Sequence, residues 1–253
     1  MTPVDSRPVV AIVPAAGAGE RLGAGVPKAM ALLAGDAILA HAVRALVAEP
    51  RVSLVVLAAP EGFEDAMAEV AAGHSRGVPV VAVTGGATRA ESVSLALAVV
   101  PEAFDVTLVH DAARCLVPVE VVAAVIDAVL AGADAVVPGA PVVDTVRQLA
   151  PDGSSRTIDR STLRAVQTPQ GFRTEVLRSA HAAGDLGATD DAGMVEALGQ
   201  HVVLVPGHAR AFKVTTAQDL LLAEAILVGE APIEEAPIEE APIGEADVGE
   251  AGR

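Results

Sequence analysis

The chain has almost no aromatic side chains: its 253 residues include four Phe and neither Trp nor Tyr. Binding by stacking on aromatic platforms is therefore not expected. The core must be built from Ala, Val and Leu, and 52% of the residues are hydrophobic. Because small and β-branched residues suit buried parallel strands, this composition favours a sheet that is covered on both faces.

Cysteine is also scarce. Cys115 is the single cysteine, so the chain cannot form an internal disulfide, and no paired-thiol metal site is present. The six histidines show neither zinc-ligand spacing nor a recognisable Ser or Cys nucleophile beside them. These absences argue against zinc enzymes and hydrolases.

Positive charge is the third shortage, because 17 Lys and Arg face 33 Asp and Glu, a net charge of −16. That balance argues against non-specific nucleic-acid binding, which needs a surplus of cations, and favours small anionic substrates. The N-terminus lacks the pattern of a secretory signal, and no apolar run is long enough to span a membrane. We therefore expect a cytoplasmic protein.

Apolar runs of strand length alternate with Ala- and Leu-rich segments of helical character. The predicted strands are 9–13, 53–58, 79–83, 106–109 and 135–137, and the predicted helices include 38–48, 90–99 and 119–131. Alternation of this kind indicates an α/β fold with a mostly parallel sheet flanked by helices. A last helix is predicted at 216–227, with Thr215 or Thr216 as its N-cap.

The rhythm changes after Pro141. Two extended segments, 142–149 and 154–160, flank a turn that contains Pro151 and Gly153. They predict a β-hairpin arm at about 141–166, which either projects from the sheet domain or is an ordinary surface hairpin. Residues 1–228 then form one domain, arm included.

Residues 229–253 form the tail of the chain. From 230 onward they hold seven Glu, one Asp and one Arg, a net of −7, with Pro at every fifth position of a repeat. Because proline prevents a continuous helix and like charges repel, we expect a disordered solubilising extension. An interaction tail is the alternative.

The strongest motif is a glycine-rich segment after the first predicted strand, which contains Gly17, Arg21 and Lys28. Loops at the carboxyl ends of strands are where α/β sheets bind ligands, and glycines let a phosphate approach the backbone. The spacing fits neither the dinucleotide fingerprint nor the P-loop. Two interpretations of the segment remain. Arg21 and Lys28 neutralise charge on a phosphoryl group, or the segment is a flexible loop whose charges are solvated.

Two further segments follow predicted strands. Asp111 ends one of them and is a candidate ligand for Mg²⁺, with Arg114 as its counter-charge; the alternative is an ordinary capping pair. Gly85 and Gly86 precede a predicted helix whose backbone donors, with the Ser92 hydroxyl, are suited to an anion or to the polar edge of a base. A simple glycine turn is equally compatible.

Nine ordered landmarks resemble the 2-C-methyl-D-erythritol 4-phosphate cytidylyltransferases of the non-mevalonate isoprenoid pathway, over residues 9 to about 228. They are Pro14-Ala-Ala-Gly-x-Gly-x-Arg21, Pro27-Lys28, Gly85-Gly-x-x-Arg-x-x-Ser92, His110-Asp-Ala-Ala-Arg114, Asp144-Thr145, Asp159-Arg160, Thr168-Pro-Gln170, Thr189-Asp190 and Lys213-Val-Thr215. The resemblance implies a nucleotidyltransferase sheet domain with a dimerising arm, and transfer of CMP from CTP with Mg²⁺ as cofactor.

The resemblance also implies roles for individual residues. The residues expected on the cytidine side are Pro14, Ala15, Ala16, Gly17, Gly86 and Ser92. Arg21 and Lys28 are expected at the α-phosphate, and Asp111 near the metal. Around the methylerythritol phosphate the implied residues are Arg160, Lys213, Thr145, Thr168 and Thr189.

The chain departs from the family pattern at two positions. Cys115 stands where the family often has Pro, and Ala211 stands where it often has Asn. We expect Cys115 to matter little, whereas Ala211 removes a polar group near Lys213. The acidic tail is outside the family pattern too. Some relatives carry a second synthase domain at this place, but about 25 residues are too few to form one.

Three other functions remain compatible with the sequence. The nearest is a cytidylyltransferase for another polyol phosphate, such as ribitol 5-phosphate. A sugar-1-phosphate nucleotidyltransferase that uses another base is more distant, and a non-catalytic interaction protein belongs to another class. Retention of Arg21, Lys28, Asp111, Arg160 and Lys213 together argues against the last.

Overall fold

The predicted strands and helices of the sheet domain are all present, in the order that the sequence predicted. The structure, a computed structural model, describes residues 7–17, 27–184 and 188–229. The strands are β1 (Val9–Pro14), β2 (Leu32–Leu33), β3 (Asp36–Ala37), β4 (Val52–Ala59), β5 (Val80–Thr84), β6 (Val106–Val109), β7 (Ala135–Pro141), β8 (Val146–Leu149), β9 (Ser155–Ile158), β10 (Arg164–Val166), β11 (Gln170–Arg173) and β12 (Val202–Pro206). The helices are α1 (Ile38–Val47), α2 (Glu64–His74), α3 (Arg89–Ala98), α4 (Val119–Leu130), α5 (Thr174–Ala182), α6 (Asp191–Ala197) and α7 (Ala217–Val228).

The main sheet, within these described residues, has the strand order β10-β7-β11-β6-β1-β4-β5, with β12 also paired to β7. The pairs β5-β4, β4-β1, β1-β6 and β12-β7 are parallel, whereas β11 runs antiparallel to β6 and β7, and β10 antiparallel to β7. The chain runs outward from β1 through β4 to β5 and then returns to β6 on the other side of β1. This reversal creates the kind of crevice in which open α/β sheets bind ligands.

The core lies on both faces of β1, whose Val9 to Val13 have no exposed surface. Alternate side chains point to opposite faces, so Val9, Ala11 and Val13 pack with α1 and α4, while Val10 and Ile12 pack with α3 and α5. Burial on both faces explains why the strand is an unbroken apolar run. The sheet is therefore fixed at its centre, and the loops that follow β1 and β6 emerge from its most buried strands.

The predicted hairpin is confirmed. β8 and β9 form a separate two-stranded antiparallel sheet in which Val146 faces Ile158 and Leu149 faces Ser155. Gly153 in the connecting turn has φ +82°, which glycine adopts without strain. Both strands are largely exposed, as expected for an arm that leaves the main sheet.

α7 begins with the predicted cap. The Thr216 hydroxyl accepts from Asp219 N, and the Asp219 carboxylate accepts from the backbone of Thr215 and Thr216, so both halves of a capping box are present. Contacts with Thr215 lower the pKa of Asp219 to about 2. The cap thereby fixes the segment just before α7, which carries Lys213. The predicted disordered tail lies outside the described residues from 230 onward.

Candidate active site

A cleft of about 670 Å³ lies at the carboxyl ends of β1, β5 and β6, where the glycine-rich loops were predicted to converge. Its lining is Pro14, Ala15, Ala16, Gly17, Lys28, Ala29, Ile38, Gly86, Ala87, Thr88, Arg89, Ser92, Asp111, Ala112, Ala113, Lys213 and Thr215. Every predicted residue of the cytidine side belongs to it. So do Lys28, Asp111 and Lys213, which are separated by up to 185 positions in the sequence.

The loop after β5 packs directly against the loop after β1. Gly85 N donates to Ala59 O at 2.7 Å, and a Cβ added to Gly85 would lie 2.4 Å from the Ala16 Cβ. The Ser92 hydroxyl accepts from Gly86 N at 3.1 Å and donates to Thr88 O at 2.9 Å. Position 85 requires glycine because the two loops approach each other so closely. The two hydrogen bonds of Ser92 stabilise the conformation of the loop that contains Gly86 and Thr88.

Lys213 reaches Asp111 because the segment before α7 is bonded to the loop after β6. Val214 N donates to Ala113 O at 2.8 Å, and Lys213 Nζ lies 2.8 Å from Asp111 Oδ2. Ala211, the departure from the family pattern, is buried, and its carbonyl accepts from Arg114 at 2.8 Å. The backbone therefore sets the position of Lys213 although the polar side chain at 211 is missing.

The counter-charge of Asp111 was predicted wrongly. Arg114 does not pair with it; its guanidinium donates to the carbonyls of Ala211 and Val166. Arg89 takes that place, with Nε 3.1 Å from Asp111 Oδ1. Arg89 was present in the Gly-Gly motif, but it follows the N-cap Thr88 as the first residue of α3, and its local pattern gave no sign of a partner 22 residues away.

Asp111 is a carboxylate held between two cations. Burial alone would raise its pKa, but Arg89 and Lys213 outweigh burial and hold the pKa of Asp111 well below its usual range. The neighbouring His110 has no exposed surface, and burial lowers its pKa to about 4. The ring is therefore neutral near physiological pH, and the charge on this side of the cleft is carried by Asp111, Arg89 and Lys213.

Lys28 opens a single 3-10 turn, Lys28–Met30, that follows Pro27 and lies in the cleft wall. Arg21, the second cation predicted at the α-phosphate, lies outside the described residues.

Cys115 is buried in a cluster with Leu33 and Val214, and burial raises the pKa of its thiol to about 11.

The residues predicted around the second substrate, apart from Lys213, do not join the cleft lining. Arg160 and Thr145 are exposed at the base of the arm, where Arg160 donates to the Val143 carbonyl. Thr189 lies before α6, also away from the lining. Thr168 is buried, and its hydroxyl accepts from Asp111 N at 3.1 Å. Their roles toward a substrate stay predictions.

The described ranges contain neither a candidate membrane span nor a cluster of metal-ligating side chains. None of the helices there combines the length and apolar character that a membrane crossing requires. No three His, Cys, Asp or Glu side chains in those ranges converge as metal ligands do.

Comparison with known proteins agrees with the geometry. A model of the 2-C-methyl-D-erythritol 4-phosphate cytidylyltransferase family (IspD) matches residues 9–229. The enzyme of that name from Saccharopolyspora erythraea is 55% identical over 226 residues, which cover 87% of this chain and 99% of the relative. The one from Streptomyces avermitilis is 50% identical over 238 residues, covering 88% and 95%. The crystal structure of the enzyme from Thermus thermophilus aligns with a TM-score of 0.70 at 38% identity, covering 86% of this chain and 98% of that one. The chain therefore belongs to the 2-C-methyl-D-erythritol 4-phosphate cytidylyltransferases, a family of nucleotidyltransferase enzymes.

Proposed function

We propose that the protein transfers CMP from CTP to 2-C-methyl-D-erythritol 4-phosphate, giving 4-diphosphocytidyl-2-C-methyl-D-erythritol and pyrophosphate, in isoprenoid biosynthesis. The observation that carries the proposal is the cleft itself. Small residues and glycine loops meet Lys28, Lys213 and Asp111 at the carboxyl edge of the sheet. Its volume of about 670 Å³ lies within the range of small-molecule sites, roughly 300–1,000 Å³.

The nucleotide occupies the side of the cleft lined by 14–17 and by Gly86 and Ser92. Backbone groups of these loops supply donors and acceptors for the cytosine edge, because no aromatic side chain of the described residues lines the cleft. A site that hydrogen-bonds one base leaves buried polar groups unpaired with another, which gives base preference. We therefore expect CTP to be preferred over ATP, GTP and UTP.

The reaction joins a phosphate oxygen of the polyol phosphate to the α-phosphorus of CTP. The bond from that phosphorus to the bridging oxygen breaks, and pyrophosphate leaves with the electron pair. No general base is needed, because a phosphate monoester with a second pKa of about 6 is ionised near neutral pH. Arg21 and Lys28 neutralise charge that develops at the α-phosphate, and positioning supplies the remaining rate.

Mg²⁺ is the proposed cofactor, with Asp111 as its protein ligand. The donor chemistry fits, because Mg²⁺ at nucleotide sites is bound through one or two carboxylates and the substrate phosphates rather than by a complete protein cage. Asp111 supplies one such carboxylate, ionised and at the cleft edge. When bound, Mg²⁺ neutralises phosphate charge. Lys213, whose Nζ lies 2.8 Å from Asp111 Oδ2, is the cation at the cleft edge that would face the incoming phosphate.

The polyol phosphate is held by Arg160 and Lys213, with Thr145, Thr168 and Thr189 around it. Arg160 and Thr145 belong to an exposed arm and stand apart from the cleft lining of their own chain. We propose that the arm of one subunit completes the site of a second copy, so that the active protein is a homodimer. We further propose a cytoplasmic enzyme with neither a nucleic-acid nor a membrane partner.

The test is release of pyrophosphate. With Mg²⁺ and CTP, the protein should release it with methylerythritol 4-phosphate, and much more slowly with ribitol 5-phosphate or with the other nucleoside triphosphates. Chelation by EDTA should stop turnover, and added Mg²⁺ should restore it. Faster turnover of ribitol 5-phosphate would reassign the polyol, and no CTP-dependent release with either polyol would contradict the enzyme assignment.

A further inference from the structure

A line of charged contacts runs from the cleft into the interior of the protein. Arg89 donates through Nη1 to Asp191 Oδ2 at 2.6 Å, while its Nε faces Asp111. Asp191 Oδ1 in turn lies 3.0 Å from His181 Nε2. The side chains of Asp191 and His181 are only 1% and 5% exposed. Asp111 at the cleft is thus connected to a buried carboxylate through a single guanidinium.

The position of Asp191 is fixed by contacts that do not involve Arg89. It is the first residue of α6, whose N-cap Asp190 accepts from Gly193 N at 2.9 Å and from Gln170 Nε2 at 2.7 Å. Gln170 Oε1 also accepts from Ala192 N at 3.2 Å. The start of α6 is therefore bonded to β11 on both sides of Asp191, and the carboxylate has a defined position.

Burial of a charge requires partners for both of its oxygens. Burial would raise the pKa of Asp191, but the contacts with His181 and Arg89 lower it, so the group is a carboxylate. A carboxylate accepts from both, which means that His181 donates from Nε2. Each oxygen of Asp191 thus has one donor, and His181 prevents the carboxylate from turning away from Arg89.

Arg89 can serve two carboxylates because its nitrogens form a planar fork. Nε and Nη1 point in fixed directions, and a lysine has no equivalent geometry. Arg89 also begins α3, where the helix dipole disfavours a cation, so its position depends on the two carboxylates. With Asp191 anchored, the guanidinium has one orientation toward Asp111.

The two oxygens of Asp111 are consequently unequal. Oδ1 accepts from Arg89, which also binds the buried Asp191. Oδ2 accepts from Lys213, whose side chain is 43% exposed. We propose that Asp191 is a positioning residue which, braced by His181, keeps Arg89 on Oδ1 of Asp111, so that Oδ2 and Lys213 are the pair that rearranges when the nucleotide binds. The inference rests on the proposed function.

The test compares Asp191→Asn with Glu49→Gln. Asn keeps the shape of Asp191 and removes its charge. Glu49 is a matched control, because it is also a buried carboxylate that holds an arginine, Arg51, at 2.7 Å, but at the opposite end of the sheet. Loss of a partner that orients a metal ligand costs roughly 10–100-fold in metal affinity or activity. We expect Asp191→Asn to lose kcat/KM by that factor and Glu49→Gln to keep it.

A second measurement does not depend on turnover. Titration calorimetry of CTP at a series of Mg²⁺ concentrations should show that Asp191→Asn needs roughly 10-fold more Mg²⁺ for the same CTP affinity. Melting temperatures of both variants give the purely structural effect. Equal kcat/KM and equal Mg²⁺ dependence in Asp191→Asn and Glu49→Gln would overturn the inference.

A pair of variants at His181 keeps the test decisive if Asp191→Asn does not fold. His181→Gln keeps an N–H donor for Asp191, and His181→Leu removes it. We expect Gln to retain most of the kcat/KM that Leu loses, at similar melting temperatures. Equal activity of the two would contradict the bracing role, whereas a wild-type protein that releases no pyrophosphate would overturn the proposed function itself.

Discussion

A methyl group added at Gly85 should damage the nucleotide site without removing any functional group. The Cβ of Gly85→Ala would lie 2.4 Å from the Ala16 Cβ, 3.0 Å from Ser92 Oγ and 3.3 Å from Ala59 O. Ordinary carbon contacts are about 3.5–4.0 Å, so the two loops must separate by roughly 1 Å. Gly85 has no positive φ, which leaves this steric contact as the cause of the effect.

The cost can be estimated from overpacking, which is typically about 1–3 kcal/mol. If the strain is relieved by moving the loop after β1, CTP affinity falls about 5- to 150-fold, since 1.4 kcal/mol corresponds to a factor of ten. If it stays in the folded protein, the same amount is lost from the free energy of unfolding. The sum of the two losses should fall in the stated range.

Calorimetric titration with CTP and thermal unfolding measure the two losses separately. Gly73→Ala is the control, because Gly73 lies within α2 and its added methyl would meet nothing within 4 Å. Replacing a helical glycine by alanine should stabilise by about 0.5–1 kcal/mol and leave CTP binding unchanged. Wild-type stability together with wild-type CTP affinity in Gly85→Ala would refute the reasoning.

Three further predictions concern catalysis and assembly. Lys28→Ala and Arg21→Ala should each lose turnover by about 10²–10³-fold with little change in melting temperature, as expected for removal of one preorganised charge at the α-phosphate; near-normal kcat in both would contradict their role. Mixed Arg160→Ala and Lys28→Ala subunits should recover part of the activity if Arg160 acts across the dimer, and no recovery under demonstrated subunit exchange would mean that each site is built from one chain. Deletion of 230–253 should leave kcat and melting temperature unchanged, because a proline-punctuated acidic repeat cannot bury a stabilising surface; a shift of several degrees would show that it docks.

Local sequence patterns predicted the frame of the site well. The run 9–13 and the glycines after it gave the position of β1 and its loop, because a strand buried on both faces needs an unbroken apolar segment. The turn at 150–153 likewise predicted the arm, since Pro151 and Gly153 have strong local preferences. Both features depend on residues that are neighbours in the sequence, so local sequence patterns predict them directly.

Features that depend on distant partners were not predictable in this way. β11 has four residues and lies antiparallel between β6 and β7, too short for its pattern to indicate a central strand. The pairing of Arg89 with Asp111 and Asp191 joins three separate segments, so the sequence pointed instead to Arg114, which is only three positions from Asp111. Such contacts are decided by tertiary packing.

The small residues of the cleft wall determine how the protein responds to mutation. Within the described part of the chain, six alanines and two glycines contribute to that wall. Alanine scanning, the usual search for functional residues, leaves these six alanines untouched and therefore does not test their part of the surface. At the alanine positions function is lost by gain of bulk rather than by loss of a group, so a scan with serine, valine or leucine is the one that maps them. For the same reason, harmful natural variants at these positions should be substitutions to larger side chains.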